Sequence, residues 1–348
     1  MSDLKYLAAY SIPATALLAL TLGGAWSFLT PVYAFVCIPL LEVLLPENQA
    51  NIEGAKKHKA AVNPVFDWML YLNVPIVYGV MAYGLLAITR APVTWVEWVG
   101  CALSAGIVLG VNGINVGHEL GHRKSRRERL LGKLLLLPSF YSHFYIEHNL
   151  GHHVHAATPE DPATAKYNQS LYGFWAQTLP GQYRNAWILQ QKALEREGKP
   201  FLSLYNDMLW GHLGQAAYLL GLYLAFGPGG VLFALAAGLT GVLLLETVNY
   251  IEHYGLLRLK TASGRYERVR EVHSWNSNHI MGRIVLYELT RHSDHHYKSS
   301  KKYQLLDYHD TSPEMPFGYP TSMVLALVPP LWFRIMNKRV PEPMRPNE

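Results

Sequence analysis

Charge is what this chain has least of. Asp, Glu, Lys and Arg make up 16% of its 348 residues, against roughly 25% in an average soluble domain, which excludes both a disordered chain and an ordinary water-soluble fold. No charged residue or histidine occurs from residue 6 to 41, Trp68 to Thr89, Trp98 to Gly117 or Leu213 to Leu245. Each gap accommodates a membrane crossing of about 20 residues. Cysteine is nearly absent too. Cys37 and Cys101 both lie in apolar runs, excluding a disulfide framework and any four-cysteine iron or zinc module. No glycine-rich fingerprint follows a strand, so nothing in the chain holds a flavin or nicotinamide.

The pattern predicts an all-α, integral-membrane helical bundle, a single domain over 1–348. One helix over residues 6 to 41 would extend roughly 54 Å, beyond a hydrocarbon core of about 30 Å. The chain must therefore fold back, most simply near Thr30-Pro31. Gly227-Pro228-Gly229-Gly230 makes a second hairpin and Arg90-Ala91-Pro92 a third turn. Six transmembrane helices follow, at about 7–29, 31–46, 67–89, 94–117, 203–227 and 229–251, with cytoplasmic segments of about 123–200 and 252–348. Of the 30 Lys and Arg, only Arg90 falls in the three short turns, so the opposite face, with both termini, is expected to be cytoplasmic. The net charge of +5 then requires no nucleic-acid partner. The basic stretch Arg123 to Lys133 is a topology anchor or a landing area for an acidic electron carrier. Leu134 to Tyr141 and Pro316 to Phe333 are Pro-interrupted apolar stretches, re-entrant or interfacial.

Against this background stand sixteen histidines. His118 and His122 are spaced i, i+4 at the cytoplasmic end of the fourth crossing, sharing one helical face. His148, His152 and His153 repeat that spacing and add an adjacent ring; His253 ends the sixth crossing; His292, His295 and His296 are spaced by three and four. Rings at i, i+3 or i+4 can close on one metal, whereas consecutive rings diverge by about 100° and can reach two. Nine ligands are too many for one ion. Nitrogen-only ligation suits iron, zinc, copper or nickel. His273 and His279 lack the spacing and read as a supporting cap, and His58, His143, His155, His212 and His309 as non-ligands. Glu119, Glu147, Glu252 and Asp294 are placed to orient ligand imidazoles. Glu246, seven residues before His253 inside an apolar crossing, is assigned orientation or proton delivery. His118-Glu119-Leu120-Gly121-His122 alone also matches an intramembrane zinc metalloprotease, with Glu119 as general base.

The spacings resemble those of the membrane histidine-box oxygenases and desaturases. The strings NVGHELGHRKS, EHNLGHHVHAATPEDPATA, NYIEHYGLLR, HSWNSNH and RHSDHH together resemble the integral-membrane alkane 1-monooxygenase family, from about Val93 to Arg334. That resemblance implies two non-haem irons held by His118, His122, His148, His152, His153, His253, His292, His295 and His296, with no bridging carboxylate. It implies O2-dependent hydroxylation of the terminal methyl group of n-alkanes at the bacterial cytoplasmic membrane, with electrons from rubredoxin and its reductase. Lys124, Arg126, Arg127 and Arg129 are the expected landing area. Related outcomes are hydroxylation of aromatic methyl groups and desaturation or hydroxylation of fatty chains. Arg123, Thr290 and Tyr297 depart from familiar residues of the family beside the histidines. Tyr33, Phe35 and Leu41 are candidates for closing a substrate channel.

Overall fold

The computed structural model describes residues 3–90 and 92–345. These are helical, without named strands, and hold isolated bridges only. Five helical stretches are long and apolar enough to cross a membrane: Asp3–Leu22, Gly24–Leu44, Val65–Thr89, Trp95–Gly121 and Asp207–His253, here called spans one to five.

The first turn lies earlier than expected. Gly23 (φ 61°) and Gly24 (φ 51°) break the chain, whereas Thr30 and Pro31 fall within the helical stretch that follows. A left-handed residue stops a helix sharply and glycine adopts it without a Cβ clash. Pro31, by contrast, stands in the first turn of a short α-helix, where a missing N–H costs little. Ala91, in the expected Arg90-Ala91-Pro92 turn, lies outside the described residues.

Span five has 47 residues, about 70 Å if straight. It is broken at Gly227 (φ 66°, ψ −167°), directly before Pro228. The two arms fold back on each other. Phe140 packs on Tyr218 of one arm (ring centroids 5.8 Å apart), and a Cβ on Gly238 of the other would lie 3.0 Å from its ring. The 134–141 stretch therefore wedges against the hairpin, ending in a 3-10 turn (Leu137–Ser139) and a left-handed Phe140.

Spans four and five approach closely because glycines face each other. A Cβ on Gly106 would meet the Ala237 carbonyl at 2.8 Å, and one on Gly241 would meet Leu109 Cβ at 3.0 Å and Gly110 N at 3.1 Å. Small residues spaced by four let backbones touch where no hydrophobic force separates helix from lipid. That contact aligns the ends of both spans, where His118, His122 and His253 stand. The expected stretch Pro316 to Phe333 forms two short helices, Tyr319–Ala326 and Pro329–Met336, each too short to cross.

Candidate metal centre

All nine histidines selected by spacing converge. His118, His122, His148, His153 and His295 form one group, and His152, His253, His292 and His296 a second, the ligand atoms of each group lying within 4.8 Å of one another. Five pairs of Nε2 atoms are 2.9–3.3 Å apart: His118 with His295, His153 with His122 and with His148, His292 with His253 and with His296. The groups adjoin, the rings of His153 and His296 being 4.6 Å apart.

Local backbone geometry sorts the rings. His118 lies in the last helical turn of span four and His122 directly after it. The i, i+4 pair His148 and His152 does not share a group, contrary to the simplest expectation from spacing. Residues His148–His152 form a π-turn, whose i→i+5 bonding stacks residues five apart. His148 thus meets His153, and His152 turns to the second group. In the ordinary helix His292–Tyr297, His292 and His296 stay together at i, i+4 while His295 turns to the first group. His273 and His279 stand outside both. Their neighbours brace the last helix: Asn276 donates to Ser293 Oγ (2.6 Å) and accepts from its amide (2.9 Å).

The donor set suits cations. Burial, reinforced by neighbouring imidazoles, pushes His148, His153, His292, His295 and His296 well below the ordinary imidazole range, and His122 down to about 3. Neutral rings are what metals bind. Such rings crowd lone pairs together at hydrogen-bond distance, and His152 Nε2 is buried without a partner among the described residues. A metal ion resolves both features.

The surrounding carboxylates divide into different roles. Asp161, which the spacing analysis missed, pairs with His152 Nδ1 at 2.9 Å and accepts from Thr164 Oγ1 at 2.6 Å. Burial opposes both charges, but each partner favours the other, raising His152 and lowering Asp161. The acidic residue nine positions after His152 in the same loop was the available signal. Among the described residues, none of the four acids expected to orient the clustered imidazoles takes the outward N–H of one of those nine rings. Glu119 pairs with the Arg123 guanidinium (2.9 Å) and accepts from the Tyr303 amide (3.2 Å), both on one oxygen. Glu147 takes Asn185 (3.0 Å), and Asp294 takes Lys301, His309 and the Asp307 amide. Glu252 accepts from Tyr319 (2.8 Å), and its other oxygen lies 3.2 Å from the inward nitrogen of His292. Glu246 touches no ligand histidine among the described residues. It receives Tyr141 and Asn249 on one oxygen, Thr178 and Gln182 on the other.

The fatty acid desaturase family profile matches residues 93–324, more than half of the chain and the part that carries every histidine of both groups. Alkane 1-monooxygenase 2 of Pseudomonas aeruginosa is 40% identical over 319 residues, 91% of this chain and 85% of the relative. The chain belongs to the alkane 1-monooxygenase family. The alkane 1-monooxygenase of Acinetobacter baylyi is 36% identical over 310 residues, 89% of this chain and 76% of its own. More distantly, the xylene/toluene monooxygenase hydroxylase component of Pseudomonas putida is 29% identical over 346 residues, 97% and 89% of the two chains. In this alkane 1-monooxygenase family member, Arg123 is a buried clamp between Asp67 (3.0 Å) and Glu119. A narrow apolar cavity between spans two, four and five is lined by Phe35, Ile38, Val111, Leu245, Val248 and Tyr319 among others. Tyr33 and Leu41 do not line it.

Proposed function

We propose that this protein is a di-iron membrane monooxygenase that converts the terminal methyl group of medium- and long-chain n-alkanes to a primary alcohol, using O2 and electrons from rubredoxin. The observation that carries the reading is the pair of histidine groups at the ends of apolar spans. His118, His122, His148, His153 and His295 would hold one iron, and His152, His253, His292 and His296 the other. When bound, the irons supply O2 activation and insertion of one oxygen atom into a C–H bond.

The chain's own residues orient and exclude. Asp161 accepts the Nδ1 proton of His152, fixing the tautomer that turns Nε2 inward. The apolar cavity receives a hydrocarbon without asking it for hydrogen bonds, since Tyr319 is committed to Glu252 and the Asn115 amide to the Leu286 carbonyl. Glu246 we assign to orientation or proton handling through Tyr141, whose ring stacks on Phe144 and through it against His148. Two cysteines in separate helices hold no redox cofactor, so electrons come from another protein. Lys124, Arg126 and Arg127, exposed directly after His122, form the landing area we propose, with Arg129 bracing it through the Arg123 and Lys124 carbonyls. We further propose six crossings, span five crossing twice about Gly227, with both termini on the cytoplasmic side of a bacterial inner membrane.

Purified iron-loaded protein given dodecane, ¹⁸O₂ and reduced rubredoxin should yield ¹⁸O-labelled 1-dodecanol by mass spectrometry. Labelled benzylic alcohol from a xylene, with no alkanol, would move the assignment to an aromatic-methyl hydroxylase. Products confined to fatty chains would indicate a desaturase-like activity.

A further inference from the structure

A polar pocket of about 800 Å³, lined by none of the nine clustered histidines, lies between the start of span one and the helix Gly54–Val62. That helix begins ten positions after Leu44, where span two ends, and stops three positions before Val65, where span three starts. Span one starts at Asp3, which lines the pocket together with Lys5 and Tyr6. Both walls therefore stand where apolar spans leave the hydrocarbon core, at the depth of phospholipid headgroups. Trp68, exposed in the first turn of span three, marks the same level, as tryptophan does at membrane boundaries.

Five cations line the pocket, Lys5, Lys56, Lys59, Arg283 and Arg291, against three carboxylates, Asp3, Glu53 and Glu288. The carboxylates do not answer the cations one for one. Glu288 alone serves Lys5 (2.7 Å) and Arg283 (2.6 Å), with the Nε of Arg291 4.0 Å away. Arg291 is otherwise spent on the neutral carbonyls of Asn48, Ala50 and Leu306, and Asp3 accepts from the neutral Asn63 amide (3.0 Å). Lys57, on the same helix, takes Asp307 (2.6 Å), whereas Lys56 and Lys59 are exposed and meet no carboxylate among the described residues. Lys5 and Arg283 keep 18% and 7% of their side-chain surface accessible. Cations gathered around too few carboxylates beside a low-dielectric wall are stabilised by an anion, and lysines at this depth attract anionic lipid. Ile52, Phe66 and Leu306 add apolar wall, and Leu7, one residue beyond Tyr6, is exposed on the surface of span one. A free inorganic anion has no use for such surfaces; a glycerol backbone and its acyl chains do.

We infer that this pocket binds the phosphate headgroup of an anionic phospholipid, its acyl chains lying along span one. It requires neither the irons nor the alkane of the function proposed above. The test is native mass spectrometry of the iron-loaded protein in detergent, titrated with phosphatidylglycerol. A first equivalent should bind more tightly than phosphatidylethanolamine, which carries no net charge. K56Q/K59Q changes two exposed side chains and should weaken that equivalent about 25-fold, near five-fold for each juxtamembrane lysine. K56R/K59R, which keeps both charges, should retain it. K192Q/R196Q removes the same charge from the separate helix Leu171–Arg196 and should leave the affinity unchanged. Iron content should match the unsubstituted protein in all three variants. Equal affinity for phosphatidylethanolamine, no loss in K56Q/K59Q, or an equal loss in K192Q/R196Q overturns the inference. Displacement of the lipid by inorganic phosphate alone overturns it too, marking a site for a free anion.

Discussion

Asp161 is the residue on which the second histidine group depends most directly. Fully buried, it holds His152 in the tautomer that turns the other nitrogen inward. Asp161→Asn keeps the shape and removes the charge. Outer partners of this kind are worth about 10- to 100-fold in metal affinity, so the variant should lose one of its metal equivalents in a chelator titration read by elemental analysis, the five-histidine group keeping the other. Glu288 carries a different burden. It ties Lys5 and Tyr6 of span one to Arg283 (2.7, 2.7 and 2.6 Å) in the short helix Ile280–Val285 before His292. Burial would raise its pKa, but Arg283, Lys5 and Arg291 hold it at about 2, against an ordinary 4.5. A depressed carboxylate stabilises the fold above pH 4.5, and that stabilisation, about 3 kcal/mol by the size of the shift, is lost as pH falls toward 2. Melting curves from pH 6 to 3 should fall steeply for the parent chain. Glu288→Gln should start lower and be flatter.

At the scale of elements, two departures from the regular α-helix build the centre. The π-turn His148–His152 places His148 and His153 together, a pairing no α-helical wheel contains. The glycine contact between spans four and five then brings His253 level with His118 and His122. Gly106→Ala drives a methyl group against the Ala237 carbonyl and should cost about 1–3 kcal/mol of stability, with weaker metal retention because the span ends shift. Gly79→Ala, where a Cβ meets nothing within 4 Å, should leave both unchanged. Thermal unfolding and bound-metal assays on the pair separate close packing from any general effect of replacing glycine.

For the whole molecule, the apolar bundle and the basic segments divide the work. The spans line an apolar cavity, and Lys124, Arg126 and Arg127 stand exposed in the chain directly after His122. Reversing these three charges should raise the rubredoxin concentration needed for half-maximal turnover and flatten its dependence on ionic strength. Metal content should not change. If neither kinetic parameter moves, the patch serves topology alone.

Much of this architecture is written locally. The charge-free runs determine an all-helical membrane protein because buried backbone in lipid must satisfy itself, and Gly227-Pro228 breaks the chain wherever it is placed. The nine histidines were also legible, since ligand spacing and exclusion from the apolar runs are properties of the sequence. Their partition was not. Whether His148 pairs with His152 or His153 depends on a π-turn packed against helix Leu171–Arg196, where a Cβ on Gly151 would meet Asn185 at 2.9 Å. The Gly23 turn was overlooked because Pro31 is the louder breaker, although a proline in a first helical turn breaks nothing. Asp161 and Tyr319 acquire meaning only through partners nine and 67 residues away, His152 and Glu252. Periodicity reports which residues share a face; only tertiary packing decides what that face meets.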